Sequence, residues 1–159
     1  MPKPTYRLVT PLVMWIIVIV GIILSYLFVP AGNLFERDAL GNVVLLAGLV
    51  YWLYVFLLAL QIHPQAHRGV HAISEVIAEG PYAVVRHPMY ASDIILAWCV
   101  FVWYPTYQVL AIAIWLSGVL LFWSALEEWL LEEKFLEKYR AYKRRVPMFV
   151  PRFRKRKAI

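Results

Sequence analysis

Three long runs without a charged residue constrain this chain more than any other feature of its sequence. They extend from Leu8 to Phe35, from Asn42 to Ile62 and from Ile94 to Leu126. A helix rises about 1.5 Å per residue, so each run is long enough to cross a hydrocarbon core of about 30 Å. With 62% hydrophobic residues, a chain of 159 residues has too little polar surface to cover a soluble globule. The sequence therefore predicts an integral membrane protein.

The third run is long enough for two crossings, and Pro105 divides it. Proline has no amide hydrogen with which to continue a helix, so the segment Tyr104-Pro105-Thr106 is predicted to form the hairpin between them. The predicted fold is therefore all-α, with four transmembrane helices. These spans cover residues 11–29, 42–62, 88–104 and 107–126.

The segment after the fourth span predicts an amphipathic cytoplasmic helix. Residues 127–145 contain neither Gly nor Pro, so the fourth helix is expected to continue through them without a break until Pro147. One face of this helix carries large apolar and aromatic residues at intervals of three or four: Leu131, Phe135, Tyr139 and Tyr142. Such a helix would lie on the membrane or fold back over the ends of the spans, and either position lets it roof a pocket.

The basic residues are distributed unevenly along the chain. With both termini in the cytoplasm, Arg37 is the only one of the 16 Lys and Arg residues on the outer side, which agrees with the positive-inside rule. Residues 138–157 hold ten Lys or Arg and no acidic residue. This tail suits an anionic inner leaflet, at about 1 kcal/mol for each basic residue near the surface. Nucleic-acid binding is the competing explanation, but the membrane already accounts for the charge, so we predict a multi-pass protein without a nucleic-acid partner.

The chain is predicted to form a single membrane domain over residues 1–159. Residues 1–62 would form a two-span scaffold, and residues 63–159 would carry the functional site. The sequence contains no Gly-x-Gly-x-x-Gly, phosphate loop, Gly-x-Ser-x-Gly or His-Glu-x-x-His. Soluble nucleotide-binding folds and common hydrolases therefore receive no support, and a site must be built from helices at the membrane edge.

Polar residues are concentrated where the third span begins and where the fourth span ends. Pro88 holds the backbone of the preceding His87 extended, and this imidazole can exchange protons near neutral pH or donate to a carboxylate. Glu127 and Glu128 follow about twenty uncharged residues. Desolvation and mutual repulsion make such a pair costly, so it needs a cationic partner or a function. The alternatives are an interfacial histidine that meets lipid and carboxylates that pair with nearby basic residues.

Three histidines recur at every fourth residue: His63, His67 and His71. On a helix they would share one face and could bind a metal ion. Pro64 and Gly69 interrupt a regular helix there, and the sequence fixes no cysteine or acidic ligand nearby. We predict no metal site, and expect these side chains to hydrogen-bond to backbone, lipid or a cofactor.

One further charge falls inside a predicted span. Asp93 lies early in the third span, where a carboxylate is costly. We expect it to be solvated at the interface or paired with Arg86.

These polar motifs resemble those of one superfamily. Gly80-Pro81-Tyr82, Arg86-His87-Pro88-Met89-Tyr90, Glu127-Glu128 and Phe135, Tyr139, Tyr142 with Arg145-Val146-Pro147 follow the order found in the isoprenylcysteine carboxyl methyltransferase and phospholipid methyltransferase superfamily. The match covers residues 74–151. The resemblance implies an integral membrane enzyme that moves a methyl group from S-adenosylmethionine to a lipid-like or lipophilic acceptor. The acceptor would be a phospholipid amine or a prenylcysteine-type carboxylate.

The resemblance also implies a cofactor site at the cytoplasmic ends of the last two spans, roofed by the C-terminal helix. Its residues would be Val76, Ile77, Tyr82, His87, Pro88, Tyr90 and Glu127. His87 would bind the methionine carboxylate and Glu127 would hold the amino group. His87, Glu127 and Glu128 are the predicted catalytic residues, and Glu128 or His87 would serve as base for an amine acceptor.

The predicted substrate residues are Trp123 and Tyr142. Trp123 stands four residues before Glu127, where prenylcysteine methyltransferases carry an arginine. Without that cation, the site is expected to favour a lipid-borne amine or a hydrophobic neutral nucleophile over a prenylated carboxylate. Ser92 and Leu136 stand where the family pattern has glycine, so the local backbone is expected to differ there.

Two other functions stay open at this point. Sterol reductases are similar to this superfamily in their C-terminal spans, so a membrane NADPH-dependent reductase is the main alternative. Such an enzyme would need more spans for a sterol cavity than this chain offers. A non-enzymatic membrane adaptor with a basic tail is the other alternative, and it leaves His87 and Glu127 unexplained.

The charge distribution predicts which side of the membrane each loop faces. In a Cys99→Ser background, a cysteine introduced at residue 38 should react with an impermeant maleimide from outside, because basic loops stay in the cytoplasm. Cysteines introduced at residues 75 and 150 should react only after the membrane is opened. Cys99→Ser alone is the labelling control, and a C-terminus that reacts from outside would contradict the prediction.

Overall fold

The structure is a computed structural model that describes residues 10–65, 69–70 and 72–151. None of the described residues belongs to a β-strand, so the prediction of an all-α fold is confirmed. The helices in these ranges are α1 (Pro11–Phe28), α2 (Ala39–Ile62), α3 (Pro81–Val84), α4 (Pro88–Trp103), α5 (Tyr107–Phe135) and α6 (Glu137–Arg145).

The starts of the long helices are fixed by capping residues. Thr10, Asp38 and Thr106 precede α1, α2 and α5, and each side-chain oxygen accepts a hydrogen bond from a backbone N–H three residues further on. α2 therefore begins at Ala39, three residues earlier than the apolar pattern predicted. Pro105 lies in the turn between α4 and α5, as predicted.

Three of the described helices, α1, α2 and α5, are long and apolar enough to cross a membrane. α4 is apolar but has only 16 residues, which corresponds to about 24 Å. Trp103 at its end donates through Nε1 to Asn42 Oδ1 at 2.9 Å, near the start of α2. Tyr82 of α3, just before α4, lies with its ring centroid 5.6 Å from that of His63, which follows α2. α4 therefore runs antiparallel to α2 from one end of the bundle to the other.

The helices pack in the order α1, α5, α4, α2, with glycines at two of the contacts. A Cβ atom at Gly21 of α1 would overlap the indole of Trp115 of α5, whose Nε1 donates to the carbonyl of Ile17 at 3.2 Å. A Cβ atom at Gly48 of α2 would lie only 2.6 Å from Cys99 Sγ of α4. These glycines allow close approach of helices, as small residues do in membrane proteins.

The outward faces of α1 and α2 remain apolar. Within their most apolar windows of 18 residues, 22% of α1 and 17% of α2 is buried inside the bundle. Water would solvate such surfaces poorly, whereas lipid tails match them. The chain is therefore a membrane protein.

The prediction that the fourth helix continues unbroken to residue 145 is wrong at Leu136. This residue adopts φ 50° and ψ −126°, which ends α5 at Phe135 and lets α6 begin at Glu137. Among the described residues, Leu136 is the only one other than glycine with positive φ. Gly80 adopts nearly the same conformation, at φ 53° and ψ −130°. The packing of α6 over the bundle overrides the helical propensity of the segment, and a leucine takes up a backbone shape that suits glycine.

Leu136→Gly should stabilise the fold by about 1 kcal/mol. Glycine removes the steric cost of positive φ, and this gain is larger than the backbone entropy that glycine loses on folding. Little burial is lost, since Leu136 is 62% exposed. Chemical unfolding in detergent measures the change. Leu136→Ala keeps the Cβ atom and is the control that should gain no stability, and a Gly variant less stable than the parent would contradict the argument.

Candidate active site

A cavity of about 350 Å³ lies at the end of the bundle where α2 ends and α4 begins. Its wall is built from α1, α2, α4 and α5, from the segment before α3, and from α6 as a roof. The volume is within the range of small-molecule sites, which are mostly apolar with a few convergent polar groups. This wall has that composition.

All seven predicted cofactor residues line this cavity: Val76, Ile77, Tyr82, His87, Pro88, Tyr90 and Glu127. They come from three separate parts of the chain. One part precedes α3, one spans α3 and the start of α4, and one lies near the end of α5. The helical packing brings these groups, distant in sequence, to one wall.

His87 and Glu127 form the polar centre of the cavity. His87 Nδ1 lies 3.8 Å from Glu127 Oε2, and the Tyr90 hydroxyl donates to Glu127 Oε1 at 2.9 Å. The His87 ring also stacks on Tyr90, with centroids 5.7 Å apart and planes 4° from parallel. Glu127 is only 9% exposed. A carboxylate buried this deeply, with one neutral donor and one imidazole nearby, is suited to receive a cationic group of a ligand.

Two buried ring nitrogens beside the cavity have no hydrogen-bond partner among the described residues. They are His63 Nδ1 and His87 Nε2. His87 Nε2 lies 3.3 Å from Glu128 Oε1 without the alignment of a hydrogen bond. Burial lowers the pKa of His63, so this ring is neutral at pH 7. An unsatisfied buried polar atom costs about 1 to 3 kcal/mol, so His63 Nδ1 fits a site that receives a polar ligand atom.

Arg86 joins the end of α5 to the roof. Its guanidinium donates to Glu128 through Nε at 2.7 Å and Nη2 at 3.0 Å, while Nη1 donates to the carbonyls of Lys143 and Val146. Lys143 Nζ lies 3.1 Å from Glu128 Oε2. The Arg86 amide also donates to the carbonyl of Pro147 at 2.9 Å. One side chain thus holds α5, α6 and the segment after α6 together.

The two predicted substrate residues lie in different environments. Tyr142 lines the cavity, and its hydroxyl donates to the Tyr82 carbonyl at 2.7 Å. Burial raises the pKa of Tyr142, so it acts as a neutral donor. Trp123 is 4% exposed and packs in the core with Met14 and Leu120, and it is not among the described residues that line the cavity. Its role toward the acceptor stays a prediction, as does the catalytic role of Glu128, which also is not among those residues.

Comparison with known families identifies the class of this site. The sequence pattern of the phospholipid methyltransferase family matches residues 39–138, which is more than half of the chain. The chain belongs to the phospholipid methyltransferase family. No curated protein matches the chain. The resemblance predicted from the motifs is confirmed, and the match supports a membrane methyltransferase with a lipid-type substrate. It favours neither the reductase nor the adaptor alternative.

Part of the cavity wall lies on helices to which the sequence prediction gave no role in the site. α1 and α2 were expected to be scaffold, yet Met14 and Trp15 of α1 and Trp52 and Phe56 of α2 line the cavity. Asp93 lines the cavity as well. It accepts a hydrogen bond from Trp52 Nε1 at 2.6 Å and does not pair with Arg86. The signal in the sequence was a pair of aromatic residues four apart on α2, together with a charge in an apolar helix.

Some predictions concern residues beyond those that the structure describes. His67 and His71 of the histidine series lie outside the described residues. The same is true of residues 152–157, which carry the last part of the basic tail. For these positions the sequence predictions stand as they were made.

Arg86→Lys should lower the free energy of unfolding of this family member by about 1 to 3 kcal/mol. An ammonium group cannot bind Glu128 with two N–H groups and also reach the two carbonyls of the roof. Arg144→Lys is the matched control, since Arg144 is 64% exposed and pairs with the exposed Glu137. It should leave stability nearly unchanged. Equal effects of the two substitutions in detergent unfolding would contradict the role of Arg86.

Proposed function

We propose that this protein transfers a methyl group from S-adenosylmethionine to a lipid-like acceptor in the cavity beneath α6. The observation that carries the proposal is the convergence of the family's polar motif residues on one cavity whose remaining wall is mostly apolar. S-adenosylmethionine, when bound, supplies a methyl group activated by its positively charged sulfur. The aromatic and apolar wall formed by α1 and α2 suits an acceptor that resides in the bilayer.

The polar groups fit the methionine end of this methyl donor. The Glu127 carboxylate is placed to pair with an ammonium group, and His87 is placed to donate to a carboxylate. Val76 and Ile77 add an apolar surface to the wall that suits the adenine ring. The unpartnered His63 Nδ1 adds a polar atom at the end of α2.

The roof supports catalysis by excluding water and fixing distances. Phe135, Tyr139 and Tyr142 line the cavity from the end of α5 and from α6. Methyl transfer depends mainly on holding donor and acceptor in line at about 3 to 3.5 Å. The Arg86 contacts keep the roof closed while that geometry is held. Because Glu128 is already bound by Arg86 and Lys143, its part in the reaction is to hold the roof rather than to accept a proton.

We also propose that α4 is a fourth span and that both termini face the cytoplasm. α4 runs the whole length of the bundle beside α2, as its contacts at both ends indicate. Arg86 and Lys143 lie at the end that holds the cavity. Arg37 lies at the other end, where its guanidinium sits 3.5 Å from the centroid of the Tyr104 ring. The basic C-terminal segment would then meet the anionic inner leaflet.

His87→Ala and Glu127→Gln should each weaken the binding of S-adenosylhomocysteine by about 1.5 to 3 kcal/mol, the scale of a charge-assisted hydrogen bond. Calorimetry on purified protein in detergent measures this. Glu137→Gln neutralises an exposed carboxylate that is not among the residues lining the cavity, and it is the control.

Unchanged affinity in well-folded His87 and Glu127 variants would remove these roles. NADPH should not bind. Binding of NADPH without S-adenosylhomocysteine would favour the reductase alternative over the proposed function.

A further inference from the structure

Asp93 places another carboxylate in the cavity wall, farther into the bundle than the His87–Glu127 pair. It lies on α4 six residues after His87, or about 9 Å along the helix axis. Pro88, Tyr90 and Asp93 all line the cavity, so this face of α4 leads from the polar centre toward the interior of the membrane. The methyl transfer as proposed so far gives Asp93 no role.

Asp93 is held by a neutral donor. Trp52 Nε1 donates to its Oδ1 at 2.6 Å. Among the described residues, no basic side chain lies within 4 Å of this carboxylate, whereas Glu128 contacts both Arg86 and Lys143. A carboxylate between apolar helices is costly and marks a functional position when its own protein gives it no cation. The second oxygen, Oδ2, is available to pair with a ligand that carries a positive charge.

The wall beside Asp93 is aromatic. Trp52 and Phe56 lie one turn apart on α2 with ring centroids 5.2 Å apart and planes 22° from parallel. Trp15 of α1 lines the same cavity. Aromatic faces beside a carboxylate attract ammonium groups, which are drawn both to the negative charge and to the ring faces. A carboxylate acceptor would be repelled by Asp93, and a neutral acceptor would leave its charge unpaired.

We propose that Asp93 and Trp52 form the acceptor subsite, that the acceptor is a lipid-borne amine, and that Asp93 is the base that deprotonates it. This inference rests on the proposed methyl transfer. It assigns the preference for an amine to these two residues, whereas the sequence had suggested Trp123. Trp52 fixes the carboxylate through Oδ1, so that Oδ2 faces the acceptor nitrogen.

The methyl transfer needs only the acceptor ammonium, Asp93 and the sulfonium donor. The ammonium of the acceptor gives one N–H proton to Asp93 Oδ2, which becomes a neutral carboxylic acid. The nitrogen lone pair then forms a bond to the methyl carbon of the sulfonium donor while the carbon–sulfur bond breaks, and that electron pair stays on sulfur. The products are an N-methylated ammonium and a neutral thioether, and Asp93 returns its proton to water.

Other titratable side chains face this cavity from the helices packed around Asp93. They are Tyr90 on α4, Glu127 on α5, His63 after α2, the group Glu75, Tyr82, Arg86 and His87 ahead of α4, and Tyr139 and Tyr142 on α6. Glu127 already accepts from Tyr90 and faces His87. Glu75 lies before α3 and is exposed to solvent. Asp93 is therefore the carboxylate between the helices that is left to the acceptor.

A binding measurement without any methyl donor tests the subsite directly. Dodecyltrimethylammonium and dodecanol are titrated into protein in maltoside micelles, with tryptophan fluorescence as readout. Asp93→Asn should weaken binding of the cation at least tenfold and leave the alcohol unchanged. Glu36→Gln, which neutralises an exposed carboxylate in the loop between α1 and α2, is the control and should bind both probes as the parent does. Equal cation affinity in Asp93→Asn and the parent would overturn the proposal.

Methylation assays test the base. Radiolabelled S-adenosylmethionine is offered with phosphatidylethanolamine or with N-acetyl-S-farnesylcysteine. The parent should methylate the amine, and Asp93→Asn should lose at least 100-fold in kcat/KM at pH 7. That loss should shrink as the pH approaches the pKa of the free amine, because solvent then removes the proton. Asp93→Glu should recover part of the activity. A loss that is the same at every pH would show that Asp93 is not the base.

Binding of S-adenosylhomocysteine separates this inference from the proposed function. A parent protein that binds it but methylates only the farnesylcysteine analogue overturns the amine proposal and leaves methyl transfer standing. A parent that does not bind it overturns the proposed function itself. Should Asp93→Asn fail to fold, Trp52→Phe removes the N–H donor to Asp93 and keeps an aromatic ring at this position. It should lower kcat/KM for the amine three- to tenfold with unchanged S-adenosylhomocysteine affinity, and wild-type kcat/KM in this variant would count against the subsite.

Discussion

The contact between Arg86 and Glu128 is the interaction on which the rest of the site depends. A bidentate guanidinium–carboxylate pair is strong when it is desolvated and geometrically matched, and here both side chains are nearly buried. The same guanidinium also satisfies two carbonyls at the end of α6. Removing it would leave a buried carboxylate and two carbonyls without this donor. The positions of the roof, the start of α4 and the end of α5 therefore all depend on this one guanidinium.

The three carboxylates that α4 and α5 place at or beside the cavity differ in their surroundings, and those surroundings decide what each can do. Glu128 is neutralised by Arg86 and Lys143 and serves the architecture. Glu127 accepts a hydrogen bond from the Tyr90 hydroxyl and faces the His87 imidazole, so it can still accept a cationic ligand. Asp93 has a single indole donor among the described contacts and lies farthest into the bundle. Charge in this protein thus becomes less compensated from the roof toward the interior.

Much of this arrangement could be predicted from the sequence because it depends on local or strongly patterned features. Uncharged runs and Pro105 fixed the long helices, and motif residues on both sides of the last hairpin identified one wall of the cavity. The family glycine at the position of Leu136 marked the local backbone as unusual, but helical propensity did not predict a break there, since the demand comes from packing α6 over the bundle. The Trp52–Asp93 contact joins residues 41 positions apart. Such contacts depend on the order in which helices pack, which neither propensity nor motif spacing encodes.

The order of helices has a consequence for how the site can change. α1 with α5 and α2 with α4 form two close pairs, each drawn together where a side chain of one helix fits against a glycine of the other. The cavity lies at the seam between the pairs rather than inside either one. Residues that set its width can therefore be exchanged without repacking a pair or disturbing the surfaces that meet lipid. A fold of this kind can accommodate acceptors of different bulk while its insertion into the membrane stays the same.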